Sequence, residues 1–106
     1  MTVYLLHYKQ SLPRGVSPSG KALEANHYIG FTNDLIQRIL EHAEGHGARF
    51  TQVCHEREID FALARTWEGK GADRSFERRL KNYKKARRLC PICDPGALER
   101  MNDIRH

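Results

Sequence analysis

The stretch HYIGFTNDLIQRILEH, residues 27–42, passes from a strand into a helix and sets the frame for the rest of the chain. HYIGF is apolar and aromatic. Alternation puts Tyr28 and Gly30 on one face of it and His27, Ile29 and Phe31 on the other. Thr32, Asn33 and Asp34 suit a helix start, and Leu35, Ile36, Ile39, Leu40 and Ala43 follow at helical spacing until Gly45 offers a stop. Arg38 and His42 stand one turn apart, at the edge of that apolar stripe or on the side away from it. Packing accounts for the leucines and isoleucines but not for Tyr28, Gly30, Arg38 and His42 together. A glycine beside an aromatic on one strand face leaves an open floor where another group can come close.

On the N-terminal side, TVYLLHY (residues 2–8) reads as a first strand, antiparallel to the second. Between them KQSLPRGVSPSGKALEAN, rich in Gly, Pro and Ser, reads as a long loop. Towards the C-terminus, GHGARFTQVCHERE is expected to be a glycine-hinged loop with a short helical turn. EIDFALARTW alternates as a third strand, with Ile59, Phe61, Leu63, Arg65 and Trp67 against a small-residue face of Asp60, Ala62, Ala64 and Thr66 that a helix can pack on closely. Asp73 or Ser75 caps a second long helix carrying Phe76, Leu80 and Tyr83 at i, i+4 and i+7, and residues 97–104 suggest a short, weakly anchored helix. The class is α+β, a small three-stranded antiparallel-type sheet flanked by helices in the order β-β-α-α-β-α.

The 106 residues suit one domain with a modest core. No apolar run approaches the roughly 20 residues needed to span a bilayer, and a signal-peptide pattern is lacking, so the expectation is a cytoplasmic protein with no membrane association. The formal charge is +5. Between positions 74 and 88 the chain holds Arg74, Arg78, Arg79, Lys81, Lys84, Lys85, Arg87 and Arg88 against one acid, Glu77, a positive surface suited to polyphosphate or simply a solvated helix face. Cys54, Cys90 and Cys93 cannot all pair, which fits a reducing compartment. CPIC has metal-knuckle spacing, but a structural zinc needs four ligands. Cys54 and a histidine such as His55 complete such a set only if the fold brings them together, and thiols packed in a C-terminal turn are the expected state.

Val3–Tyr4–Leu5, then Tyr28–Ile29–Gly30, then TNDLIQR ending at Arg38, resemble the GIY-YIG nuclease family over roughly residues 2–88. Thr2 stands where that family usually has glycine. The resemblance implies a metal-dependent DNA endonuclease, a phosphodiester hydrolase using Mg2+ or Mn2+ and serving DNA repair, recombination or mobile-element processing. Carried over residue by residue, Tyr4 and Tyr28 are the two active-site tyrosines, Arg38 the catalytic arginine, Glu77 the metal-binding carboxylate and Gly30 the backbone floor. His42 matches a histidine that some members place one turn after the arginine, and Asn82 is the nearest counterpart of a distal asparagine in others. Arg74, Arg78, Lys81, Lys84 and Lys85 would bind substrate. Residues 1–90 would form the nuclease domain and 91–106 a C-terminal turn and helical tail.

The chemistry stands apart from the resemblance. In-line cleavage of a phosphodiester needs a deprotonated water, relief of charge on the pentavalent phosphorus and help for the leaving oxygen. An arginine fork supplies fixed charge and paired donors. Magnesium on one carboxylate keeps most of its waters and can bind phosphate oxygens. A tyrosine becomes a base only if its pKa of about 10 is pulled down by cations, whereas a histidine near 6.5 is the conventional base. Tyr4, Tyr28 and His42 all remain open as proton acceptor. Each residue also has a plainer role. The tyrosines can be half-buried sheet aromatics, Arg38 can pair with Glu41 or Asp34, Glu77 can serve the helix dipole, and His42 can be a surface histidine. The alternatives to an enzyme are a non-catalytic nucleic-acid-binding module using the same basic face, and a zinc-organised interaction domain centred on CPIC. At this length a separate recognition domain is not expected, so specificity would come from DNA structure, a homodimer or a protein partner.

Overall fold

Strand β1 (Thr2–Val16) begins as a nearly unbroken apolar run because it is the central strand of the sheet, ordered β2-β1-β3 and antiparallel throughout. A strand covered on both faces needs apolar side chains on both. Val3 and Leu5 point to one side, and Tyr4, Leu6 and Tyr8 to the other. These assignments come from a computed structural model that describes residues 1–101. Of the expected helix over residues 97–104, residues 97–101 are described and form one 3-10 turn, Ala97–Glu99, with a bend after it, and residues 102–104 lie outside the described residues.

β2 (Ala22–Thr32) pairs with β1 along a hairpin far longer than the sequence suggests. The supposed loop after residue 8 is mostly strand, turning at Ser17–Gly20, where the Gly20 amide donates to the Ser17 carbonyl at 2.9 Å. Its distal arm is largely exposed on both faces, so no hydrophobic alternation marks it. Pro13 and Gly15 fall at a register shift, so they kink the ladder rather than end it.

α1 (Leu35–Ala43) starts at Asp34, whose carboxylate accepts from the Gln37 amide at 3.1 Å. Its inward stripe is Leu35, Ile39 and His42, while Ile36 and Leu40 are exposed. Histidine 42 therefore occupies a core position, not the edge or far side expected of it. α2 (Arg49–Glu56) is a full helix where a loop with one turn was expected, and it buries Thr51 and Cys54.

β3 (Phe61–Glu68) departs from strict alternation. Leu5 pairs with Arg65 but Leu6 with Leu63, leaving Ala64 as an extra residue, a β-bulge. The bulge turns Phe61 towards Tyr8 on one face and Trp67 towards Val3 and Leu5 on the other. The expected small-residue face does not exist as such. It is the side bearing Arg65 and Trp67 that is covered.

α3 (Arg74–Tyr83) is capped by Asp73, which accepts from the Phe76 amide at 2.9 Å, and ends at Lys84 in the left-handed region. Phe76 and Leu80 join Val3, Leu5, Ile29 and Trp67, together with Leu89 at the end of α4 (Ala86–Leu89) and with Cys90. Arg65, buried on this face, donates to the carbonyls of Leu89, Ala97 and Arg100, and its guanidinium lies 4.4 Å from the Trp67 ring centre. α1 and α2 cover the opposite face, completing a three-layer α+β domain. Among the described residues no helix is long and apolar enough to cross a membrane.

Candidate active site

Antiparallel pairing of β1 with β2 sets Tyr4 opposite Gly30 and Leu6 opposite Tyr28, on the face that α1 and α2 cover. A Cβ on Gly30 would collide with the ring and hydroxyl of Tyr4, so the close-approaching group over this glycine is the Tyr4 phenol. Tyr4, Tyr28 and the His42 ring form a cluster with centroid separations of 6.2, 5.7 and 5.3 Å.

Hydrogen bonding fixes the protons in this cluster. Thr51 donates its hydroxyl to the Ala48 carbonyl at 2.9 Å, so its oxygen can only accept from His42 Nδ1 at 3.1 Å. Nδ1 therefore carries the proton, and His42 Nε2 accepts from the Tyr4 hydroxyl at 2.7 Å. Burial is the first cause that lowers His42, to about 4, with the Arg38 charge adding to it, so the ring is neutral. Burial also pushes Tyr4 up to about 12, against the neighbouring Arg38 guanidinium. Gly47 closes the far side, since a Cβ there would stand 3.2 Å from the His42 ring.

Beside the cluster opens a cleft of about 530 Å³ lined by Tyr4, Tyr28, Arg38, Arg74, Glu77 and Lys81. Arg38 bonds Glu41 through Nη1 at 2.9 Å, the pairing expected for its surface role, yet it lines the cleft as well. That bond is the main cause raising the Arg38 pKa further and holding the half-buried Glu41 carboxyl low. Glu77, in the first turn of α3, keeps its side chain 15% exposed and meets Lys81 Nζ at 3.4 Å, while Lys81 Nζ stands 5.6 Å from the Tyr28 ring. Arg74 reaches over the Phe31 ring at 5.1 Å.

The five residues expected to be catalytic thus converge, with Tyr4, Tyr28, Arg38 and Glu77 on the cleft and His42 behind Tyr4. Of the expected substrate-binding side chains, Arg74 and Lys81 line the cleft. Arg78, Asn82, Lys84 and Lys85 are exposed on or just beyond α3, outside its lining. The sequence reading passed over Thr51 and Gly47. A threonine and a glycine in a glycine-hinged segment carry no mark of an orienting role until the helix is placed.

The donor set suits one hard divalent cation. Among the described residues Glu77 is the only carboxylate on the cleft, and Arg38, Arg74 and Lys81 outnumber it, so the cation would share its site with a phosphate. Glu77 would hold it, and a bound Mg2+ or Mn2+ supplies charge neutralisation on phosphate oxygens.

Fold and cleft together define a small α+β domain built around two tyrosines, an arginine, a histidine and a helix carboxylate. The model of the GIY-YIG catalytic domain matches residues 2–90, and the chain belongs to that family, a nuclease domain acting on DNA. No curated protein and no solved structure matches the chain.

Proposed function

We propose that this protein is a divalent-metal-dependent DNA endonuclease that hydrolyses one phosphodiester strand per site. The observation that carries the reading is the hydrogen-bonded series Tyr4–His42–Thr51 behind a cleft whose described lining holds three cations and a single carboxylate. Such a series positions a proton acceptor in a way that mere DNA binding does not require.

In this reading Arg38, Arg74 and Lys81 draw the scissile phosphate into the cleft, and the planar Arg38 fork meets the oxygens that gain charge. His42 is buried and its one free lone pair already faces Tyr4, which is itself buried but forms part of the cleft wall, so the path from the attacking water to His42 runs through the Tyr4 oxygen. The water gives its proton to that oxygen as the phenol proton passes to His42 Nε2. The Nδ1–H of His42 stays hydrogen-bonded to the Thr51 oxygen, and the phosphate's negative charge offsets the cost of the imidazolium. Tyr28, half-buried beside Lys81, orients the phosphate.

The remaining basic side chains Arg78, Lys84 and Lys85, with Asn82, extend the DNA track along α3, fixing position without reading sequence. We place the activity in DNA repair, recombination or mobile-element processing in the cytoplasm, a compartment that three cysteines outside any disulfide fit. DNA shape, a second copy of the chain or a protein partner would supply specificity. Incubation with supercoiled, nicked, flapped and junction DNA, with Mg2+, Mn2+ or chelator, tests the reading. Metal-dependent cleavage of at least one of these supports it, and binding without cleavage of any would leave a non-catalytic DNA-binding module.

A further inference from the structure

Residues 7 and 27 are register partners on β1 and β2, and both histidines face the layer opposite the catalytic cleft. The CPIC turn lies against them. Its Cys90 carbonyl accepts from the Cys93 amide at 3.0 Å, with Pro91 at the position where its fixed φ favours such a turn. Four donor atoms, one each from His7, His27, Cys90 and Cys93, all lie within 4.8 Å of one another.

Hydrogen bonding does not explain the convergence. His7 Nδ1 is approached by Cys90 Sγ at 3.5 Å, Cys93 Sγ at 3.5 Å and His27 Nε2 at 3.3 Å. One ring nitrogen offers a single proton or a single lone pair, so it cannot satisfy three partners. A tetrahedron with metal–sulfur bonds of about 2.3 Å and metal–nitrogen bonds of about 2.0–2.1 Å has S···N edges near 3.5 Å and an N···N edge near 3.3 Å. The Cys93 Sγ to His27 Nε2 distance of 3.4 Å agrees with such an edge as well.

We propose that His7, His27, Cys90 and Cys93 form a structural zinc site. With two thiolates and two neutral imidazoles the ion is charge-balanced, which suits the fully buried Cys90 and the three half-buried residues around it. The four protein ligands leave no open coordination position, so the site is closed to catalysis. It fastens the segment after α4 to both hairpin strands, on the face where Arg65 already collects the Ala97 and Arg100 carbonyls of that segment. Cys54 and His55, which could complete the set only if the fold brought them to CPIC, belong to α2 across the sheet. This proposal is independent of the nuclease reading.

Protein purified under reducing conditions without added metal or chelator should carry one equivalent of zinc by elemental analysis. Replacement by cobalt(II) should give the intense absorption of a tetrahedral thiolate–imidazole complex. Cys93→Ser should lose both zinc and that colour, whereas Glu77→Ala should keep both, separating this site from the cleft. Should Cys93→Ser not fold, thiol labelling of the wild type decides, with Cys90 and Cys93 slow to react until a chelator is added. Folded protein free of zinc, a cobalt spectrum no stronger than that of the hydrated ion, or labelling indifferent to chelator would overturn the site.

Discussion

Histidine 42 is held neutral by where it sits, facing the hydroxyls of Tyr4 and Thr51 and the Tyr28 ring, with Arg38 and Glu41 on its own helix. Its pKa drops from the ordinary 6.5 to about 4 on folding. Between those values the unfolded chain binds the extra proton, so stability falls as pH drops from about 6.5 towards about 4. His42→Gln should remove that dependence, making the loss of unfolding free energy between pH 7 and pH 4.5 smaller by on the order of 2–3 kcal/mol. Urea unfolding at both pH values measures it, and equal losses in the two proteins would mean that burial does not hold the ring neutral. The other histidines are common to both proteins and cancel. Arg38 makes a different kind of contribution. Arg38→Lys keeps the charge and loses the fork, so single-turnover cleavage should slow by roughly 100-fold while filter-binding affinity shifts only a few-fold. A lysine variant cutting at wild-type rate would reduce Arg38 to a surface charge.

At the scale of elements, the β1–β2 pairing builds the site, because it sets the Tyr4 ring over Gly30. Gly30→Ala inserts one methyl into that ring. Overpacking of this kind costs about 1–3 kcal/mol, and relief by rotating the phenol breaks its bond to His42. Activity should therefore fall further than the lowered melting temperature explains, and wild-type turnover in a folded alanine variant would show that the Tyr4 position is not critical. Sequence alternation had already placed Tyr28 and Gly30 on one face and His27 on the other, and the helix spacing had paired Arg38 with His42. What it missed has a common cause. The Ala64 bulge shifts register without leaving a glycine or proline to mark it. The hairpin arm is exposed on both faces, so it lacks the period that identifies strands. CPIC was legible as half of a ligand set, but its histidines come from two strands whose register sequence alone does not give.

For the whole molecule, the sheet divides the labour between its faces. One carries the tyrosines and His42 beneath α1 and α2, and the other packs α3, α4 and the C-terminal segment around an apolar layer. α3 joins the two, burying Phe76 and Leu80 in that layer while Glu77, Arg74 and Lys81 reach the cleft. Removing the Glu77 carboxylate therefore takes away the proposed metal ligand and leaves the apolar layer intact. The most direct test is single-turnover nicking of one supercoiled plasmid by wild type and Glu77→Ala, each in Mg2+ and in chelator, with circular dichroism on the same samples. Wild type should nick only with metal, and Glu77→Ala should show no nicking above the chelator background while its helical signal is unchanged. Nicking by Glu77→Ala at the wild-type rate, or wild-type nicking undiminished by chelator, would contradict metal-dependent cleavage at this cleft.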